Sequence, residues 1–276
     1  MATPPLAISL ERLGKTMQAK ALLPTTRIWL LAMLGGAYIA LAGFASTVAA
    51  CNLLASPDSY GLGRCVAGLL FPVGLILIIV GGGELFTGNC MMTEAVRRKL
   101  LNPVDMLRNW LLVYLGNFTG AVLVAGLLFL SGLFVSGKGQ VATAIIKTAV
   151  DKAKLGGLEA LILGIFCNWL VCLAIWLASR SEKAAHKAFL LFFPIWLFVT
   201  SGYEHSVANM YYLSAGLLAV LDPPTLAASG LEPGIVEALG VMALTRNMCF
   251  VTLGNIVGGA IFVAGAYALA YGQDIP

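Results

Sequence analysis

Gly81-Gly82-Gly83-Glu84-Leu85-Phe86-Thr87-Gly88-Asn89 lies inside an apolar run that begins near Cys65, passes Pro72 and resumes from Cys90 to Val96. Three successive glycines followed by a carboxylate do not sustain a regular helix, because glycine loses the most backbone freedom on ordering. A second such stretch, Gly202-Tyr203-Glu204-His205-Ser206-Val207-Ala208-Asn209, interrupts a run from about Ala188 past Pro194 to Val220. Both read Gly-x-Glu-x-x-x-x-Asn. A carboxylate at the centre of a membrane span costs about 2.5 kcal/mol or more, so two at matching places need a cause.

The rest of the chain places these interruptions in lipid. Of 276 residues, 59% are hydrophobic and 11% charged, far below the roughly 25% charge of soluble domains. Six apolar runs approach the 20 or so residues that cross a hydrocarbon core. They are about Ile28–Cys51, the interrupted run from Cys65, Trp110–Val135, Leu158–Ala178, the interrupted run from Ala188, and Asn247–Tyr271. The expected fold is an all-α membrane protein of six spanning helices, the second and fifth broken. Residues 1–26 are expected to form a cytoplasmic amphipathic helix, not a signal peptide, since Arg12, Lys15 and Lys20 punctuate them. Residues 27–135 make a first three-helix repeat, 136–157 an outer polar connection, 158–272 a second repeat, and 273–276 a tail.

With the amino terminus inside, the inner regions carry eleven Lys and Arg and the outer regions six. That excess puts both termini in the cytoplasm of a cell-membrane protein. The net charge of +4 is scattered and forms no basic stripe, so nucleic acid is not an expected partner. The six cysteines lie mostly in apolar runs without a Cys-x-x-Cys pair, so neither metal nor cofactor is expected. Cys51 and Cys65 flank one loop, and whether they pair is left open.

A second pair of matches strengthens the repeat: Leu115-Gly116-Asn117-x-x-Gly120 in the third span and Leu253-Gly254-Asn255-x-x-Gly258 in the sixth. Three spans per half is an odd number, so the halves enter the membrane with opposite polarity. The glycines read as close-packing positions and the asparagines as cross-helix donors.

Helices broken in lipid expose N–H and C=O groups, tolerated only against protein or a water-filled cavity. The amino end of each half-helix offers partial positive charge to an anion. Glu84 and Glu204, with Asn89 and Asn209, are assigned to bracing the breaks, the carboxylates accepting from the loop's own N–H groups. His205, opposite Leu85 in the first half, is the one histidine within a span and is assigned to the substrate path. Thr87 offers a hydroxyl at the matching break.

Glu84-Leu85-Phe86-Thr87-Gly88-Asn89, Gly202-Tyr203-Glu204-His205-Ser206-Val207-Ala208-Asn209-Met210, Cys167-Asn168-Trp169-Leu170-Val171-Cys172 and Leu253-Gly254-Asn255-Ile256-Val257-Gly258-Gly259 together resemble the formate/nitrite transporter family. The resemblance runs from about Leu10 to Tyr271. It implies an aquaporin-like inverted repeat, one pore per subunit of a homopentamer, and passage of formate, nitrite or hydrosulfide. It implies a vestibule lysine at Lys152 and polar pore residues at Thr87, Asn168 and His205. It also implies an outer constriction at Phe71, Val171 and Phe198 and an inner one at Leu75, Leu85 and Phe86.

The reading is therefore a channel or transporter for small weak-acid anions, formate foremost, with proton-coupled passage as the neutral acid. Nitrite or hydrosulfide is the alternative substrate. A water or glycerol channel shares the architecture but lacks paired Asn-Pro-Ala motifs. A membrane enzyme would need a metal cluster, an activated nucleophile or a nucleotide loop, and none is evident.

Overall fold

The computed structural model describes residues 5–272; the expected tail 273–276 and the first four residues of the expected amino-terminal helix lie outside them. Among the described residues, six helices are long and apolar enough to cross a membrane. The chain is a multi-pass membrane protein whose two halves repeat one pattern: an amphipathic helix, a long span, a broken span and a second long span.

In the first half α1 (Leu6–Ala21) buries Leu10, Leu13 and Met17 and leaves Arg12 and Lys15 exposed. It ends at Ala21 because Pro24 disfavours helical geometry in the residue before it, and α2 starts at Thr25 and runs to Leu54. The broken span runs through α3 (Tyr60–Leu70) and α4 (Pro72–Gly81), which meet at the helical Phe71 where Pro72 supplies no N–H, and is interrupted after Gly81. After the break come the short helices α5 (Phe86–Asn89) and α6 (Met92–Arg97). The third span, α7 (Pro103–Leu130), opens with Pro103 in the first turn and the Asn102 side chain accepting from Val104 N–H at 2.9 Å.

The second half differs most from the sequence reading at its start. The stretch expected as a polar connection folds into α8 (Gln140–Lys154), which buries Val141, Ile145, Ala149 and Val150 on one face. That three-to-four spacing is a helix period, masked in the sequence by the charged face that carries Lys147, Asp151 and Lys154. Next come α9 (Gly157–Ser179), α10 (Ala184–Ser201) and α11 (Ser206–Leu221). The loop expected after Leu221 holds α12 (Pro223–Ser229) and a 3-10 turn at Pro233–Leu239. The last span starts earlier than expected, as α13 (Val241–Val257). It widens into a π-helical segment, Gly258–Gly265, and closes as α14 (Ala266–Tyr271).

The halves hold together by close approach of their outer spans. A Cβ on Gly120 of α7 would lie 2.0 Å from the Met33 carbonyl oxygen of α2, and one on Gly254 of α13 would lie 2.2 Å from that of Leu161 in α9. Small residues at these crossings let backbones touch where the hydrophobic effect gives no drive.

Gly120→Val is expected to push α7 off α2 and destabilise the detergent-solubilised protein by about 1–3 kcal/mol, as overpacking generally does. Gly126→Ala, in open space on the same helix, serves as the control. Equal thermal midpoints for the two variants would refute the packing argument.

Candidate functional site

Both breaks are built alike. Gly82 ends α4 with φ 92° and Gly202 ends α10 with φ 82°, left-handed geometry that suits glycine. The chain then extends through Glu84–Leu85 and Glu204–His205 before turning into α5 and α11. Glu84 N–H donates to the Leu31 carbonyl of α2 at 3.0 Å, and Glu204 N–H to the Leu163 carbonyl of α9 at 3.3 Å.

One asparagine per half satisfies most of what remains. Asn117 Nδ2 donates to the carbonyls of Glu84 (2.8 Å) and Ala32 (2.7 Å), while its Oδ1 accepts from Phe86 N–H at 3.0 Å. Asn255 Nδ2 donates to the carbonyls of Glu204 (2.9 Å) and Gly164 (2.8 Å), and its Oδ1 accepts from Ser206 N–H at 2.8 Å. This alters one expectation: the first N–H of each half-helix is taken by an asparagine instead of standing open to an anion.

The carboxylates also differ from the sequence reading, because their partners are side chains and not loop N–H groups. Glu84 Oε2 accepts from Asn89 Nδ2 at 2.7 Å and pairs with Lys20 Nζ at 3.2 Å. Glu204 Oε2 accepts from Asn209 Nδ2 at 2.6 Å, and its Oε1 pairs with Lys152 Nζ at 2.7 Å. Asn89 and Asn209 donate onward to Asn109 (2.9 Å) and Asn247 (2.8 Å). Asn109 and Asn247 in turn donate to the backbone carbonyls of Lys20 (3.5 Å) and Lys152 (2.8 Å).

Lys20 therefore occupies in the first half the place of Lys152 in the second, and the inverted repeat includes α1 and α8. Sequence reasoning counted Lys20 only as an inner charge. The signal was present: Lys20 stands five residues before Thr25, the start of α2, and Lys152 five before Gly157, the start of α9.

Between the two breaks Thr87 Oγ1 lies 2.9 Å from His205 Nε2. The other ring nitrogen, Nδ1, accepts from Ala208 N–H at 3.1 Å. A backbone N–H can only donate, so the imidazole hydrogen sits on Nε2 and is directed at the Thr87 hydroxyl. Thr87 accepts it and keeps its own hydrogen to give. Asn168 bridges the halves through Nδ2, which donates to the carbonyls of Thr87 (3.0 Å) and Asn255 (2.6 Å), leaving Oδ1 to the Cys172 thiol at 3.6 Å.

The apolar residues singled out in the sequence all lie in the core. Phe71 and Phe198 meet edge to face at 5.6 Å, and Phe198 stacks on the His205 ring at 6.0 Å. Phe86 packs edge-on against Tyr114 at 5.0 Å, and Leu75, Leu85 and Val171 are each 2% exposed. Cys51 and Cys65 are both free thiols.

Access to this centre is visible from the α8 end. A cavity of about 500 Å³ is lined by Arg64, Lys147 and Lys152 with Asp151 and Glu204. Arg64 and Lys152 also line a smaller chamber of about 60 Å³ bounded by Phe71, Phe198, Tyr212 and His205. Arg64 was missed in the sequence as an isolated outer charge. Its guanidinium donates to the carbonyls of Val199 and Thr200 in the last turn of α10, the former shared with Gly202 N–H.

Residues 8–269 match the family described as Formate/nitrite transporter. A formate channel, FocA, of Haemophilus influenzae is 37% identical over 231 residues, covering 83% of this chain and 81% of its own. A probable formate transporter of Methanothermobacter thermautotrophicus is 35% identical over 264 residues, covering 90% of each chain. Among solved structures, a pentameric formate channel with formate bound superposes with a TM-score of 0.81 at 31% identity, covering 90% of this chain and 97% of its own.

Lys152→Met strands Glu204 as an unpaired buried carboxylate and is expected to cost about 3–5 kcal/mol. Adding Glu204→Gln should recover much of that loss, because the amide needs no counter-charge. Thermal unfolding of the single and double variants checks this, and a double variant less stable than Lys152→Met would contradict it.

Proposed function

The chain belongs to the formate/nitrite transporter family, and from that premise we propose that it is a pore for small monovalent weak-acid anions, formate first among them. The observation that carries the reading is the 2.9 Å contact of Thr87 with His205, beneath a chamber that opens by way of Lys152 and Arg64 into a cationic vestibule.

The anion enters the vestibule drawn by Lys152, with Arg64 and Lys147 adding to the field. As water thins out, burial disfavours the charged form of the acid, which takes up a proton. The neutral acid passes the outer constriction of Phe71, Val171 and Phe198. At the centre it replaces lost water by hydrogen bonds to Thr87, whose free hydrogen is oriented by His205 Nε2–H, and to the remaining acceptor of Asn168. It leaves through the slit of Leu75, Leu85 and Phe86 toward Lys20, where rehydration returns the proton. Glu84, Asn89, Glu204 and Asn209 hold the two lysines and the breaks in place.

Nothing in this passage changes the substrate covalently, so the protein acts as a conduit and not as an enzyme. We place it in the cell membrane, surrounded by lipid, with residues 1–26 and the carboxyl terminus in the cytoplasm. Each subunit of a homopentamer holds its own pore, and nucleic acid is no partner. Nitrite, of similar size, and the smaller hydrosulfide share formate's single charge and weak-acid character and are the alternative substrates of the same path.

In proteoliposomes His205→Ala is expected to slow formate uptake about tenfold, the equivalent of the one net hydrogen bond that orients the Thr87 hydroxyl toward the crossing acid, and to alter its pH dependence by removing the ionisable group at the centre. Unchanged rate and pH profile would remove the histidine from the mechanism. In a swelling assay formate should enter and glycerol should not; the reverse would favour a neutral-solute channel. Uptake of formate, nitrite and hydrosulfide at two pH values ranks the substrates.

A further inference from the structure

The two lysine networks share their Asn-to-Glu, Asn-to-Asn and Asn-to-lysine-carbonyl bonds and part company at the ammonium. At the α1 end Lys20 Nζ donates to Asn89 Oδ1 at 3.0 Å as well as pairing with Glu84. At the α8 end the corresponding acceptor, Asn209 Oδ1, is fully buried and has no hydrogen-bond partner. Buried amide oxygens are rarely left so when a donor lies in the same cluster. Lys152 Nζ instead lies 5.3 Å from the centroid of the Tyr212 ring.

That distance is within the range where the negative face of an aromatic ring attracts a cation. The repeat supplies an internal comparison. Tyr212 stands three residues after Asn209; three residues after Asn89 stands Met92, whose thioether has no such face. The half with methionine has its lysine on the asparagine. The half with tyrosine has its lysine off the asparagine and over the ring, where it lines both the vestibule and the chamber above His205.

We propose that Tyr212 is a positioning residue that holds the Lys152 ammonium away from Asn209 and presents it to the incoming anion. The consequence is an asymmetric pore. The α8 mouth offers a lysine with two of its three N–H donors uncommitted, while the lysine at the α1 mouth has given two of its three to Glu84 and Asn89. Substrate capture is therefore tighter from the α8 side. The inference rests on the function proposed above and adds the element that sets affinity at one mouth.

Tyr212→Met transplants the residue of the other half. It is expected to raise the half-saturating formate concentration for entry from the α8 side about five- to tenfold, with the maximal rate kept within about twofold. Tyr212→Phe keeps the ring face and should restore wild-type half-saturation. In the Lys152→Met/Glu204→Gln background, Tyr212→Met should change nothing further. Size-exclusion chromatography establishes that each variant keeps the wild-type assembly. Unchanged half-saturation in Tyr212→Met, equal effects of the Phe and Met variants, or an effect persisting without Lys152 would each overturn the proposal. Absence of formate flux through the wild-type protein is a separate outcome, and it overturns the proposed function itself.

Discussion

A backbone broken inside lipid must find partners for every N–H and C=O it releases, since no water is there to supply them. In this protein two asparagines carry most of that requirement. Asn117 and Asn255 each donate to a loop carbonyl and to a carbonyl of a neighbouring span, and each accepts the first N–H of a half-helix. The third and sixth spans are pressed close to the others by glycines so that these short side chains reach. Without that approach there is no satisfied break, and without the break there is no polar centre between the two halves.

The same constraint explains the buried charges. A carboxylate in the core of the bundle is tolerable because a lysine from an amphipathic helix meets it and an asparagine of the following half-helix shares it. Each lysine is in turn anchored through its own carbonyl by an asparagine of a long span. Amphipathic helix, broken span and long span are thus tied at one point in each half, which gives α1 and α8 a structural duty beyond covering the ends of the bundle.

Symmetry of scaffold does not extend to the contents. Where the second half has His205 the first has Leu85, and Thr87 stands opposite Val207. The histidine of one break thereby meets the threonine of the other across the pseudo-twofold axis. The ring is fixed at its far nitrogen by the half-helix it caps, so its hydrogen has one direction to point. The reciprocal positions, Leu85 and Val207, carry apolar side chains, so the polar pair occurs once and the centre has a single donor–acceptor direction.

The sequence by itself determined the six spans, the two breaks and their inverted relation, because these depend on run length, glycine and mid-span carboxylates, all local quantities. It also singled out His205 and Thr87, since an ionisable or hydroxyl group at a break in lipid has few structural uses. Only the tertiary structure decided that α8 is a helix, that Lys20 answers Lys152, that Arg64 caps α10 and that Asn117 and Asn255 take the half-helix N–H groups. The reason is physical: each of these is settled by a partner that lies far away in the chain, and a charge or an amide carries no mark of what it will meet.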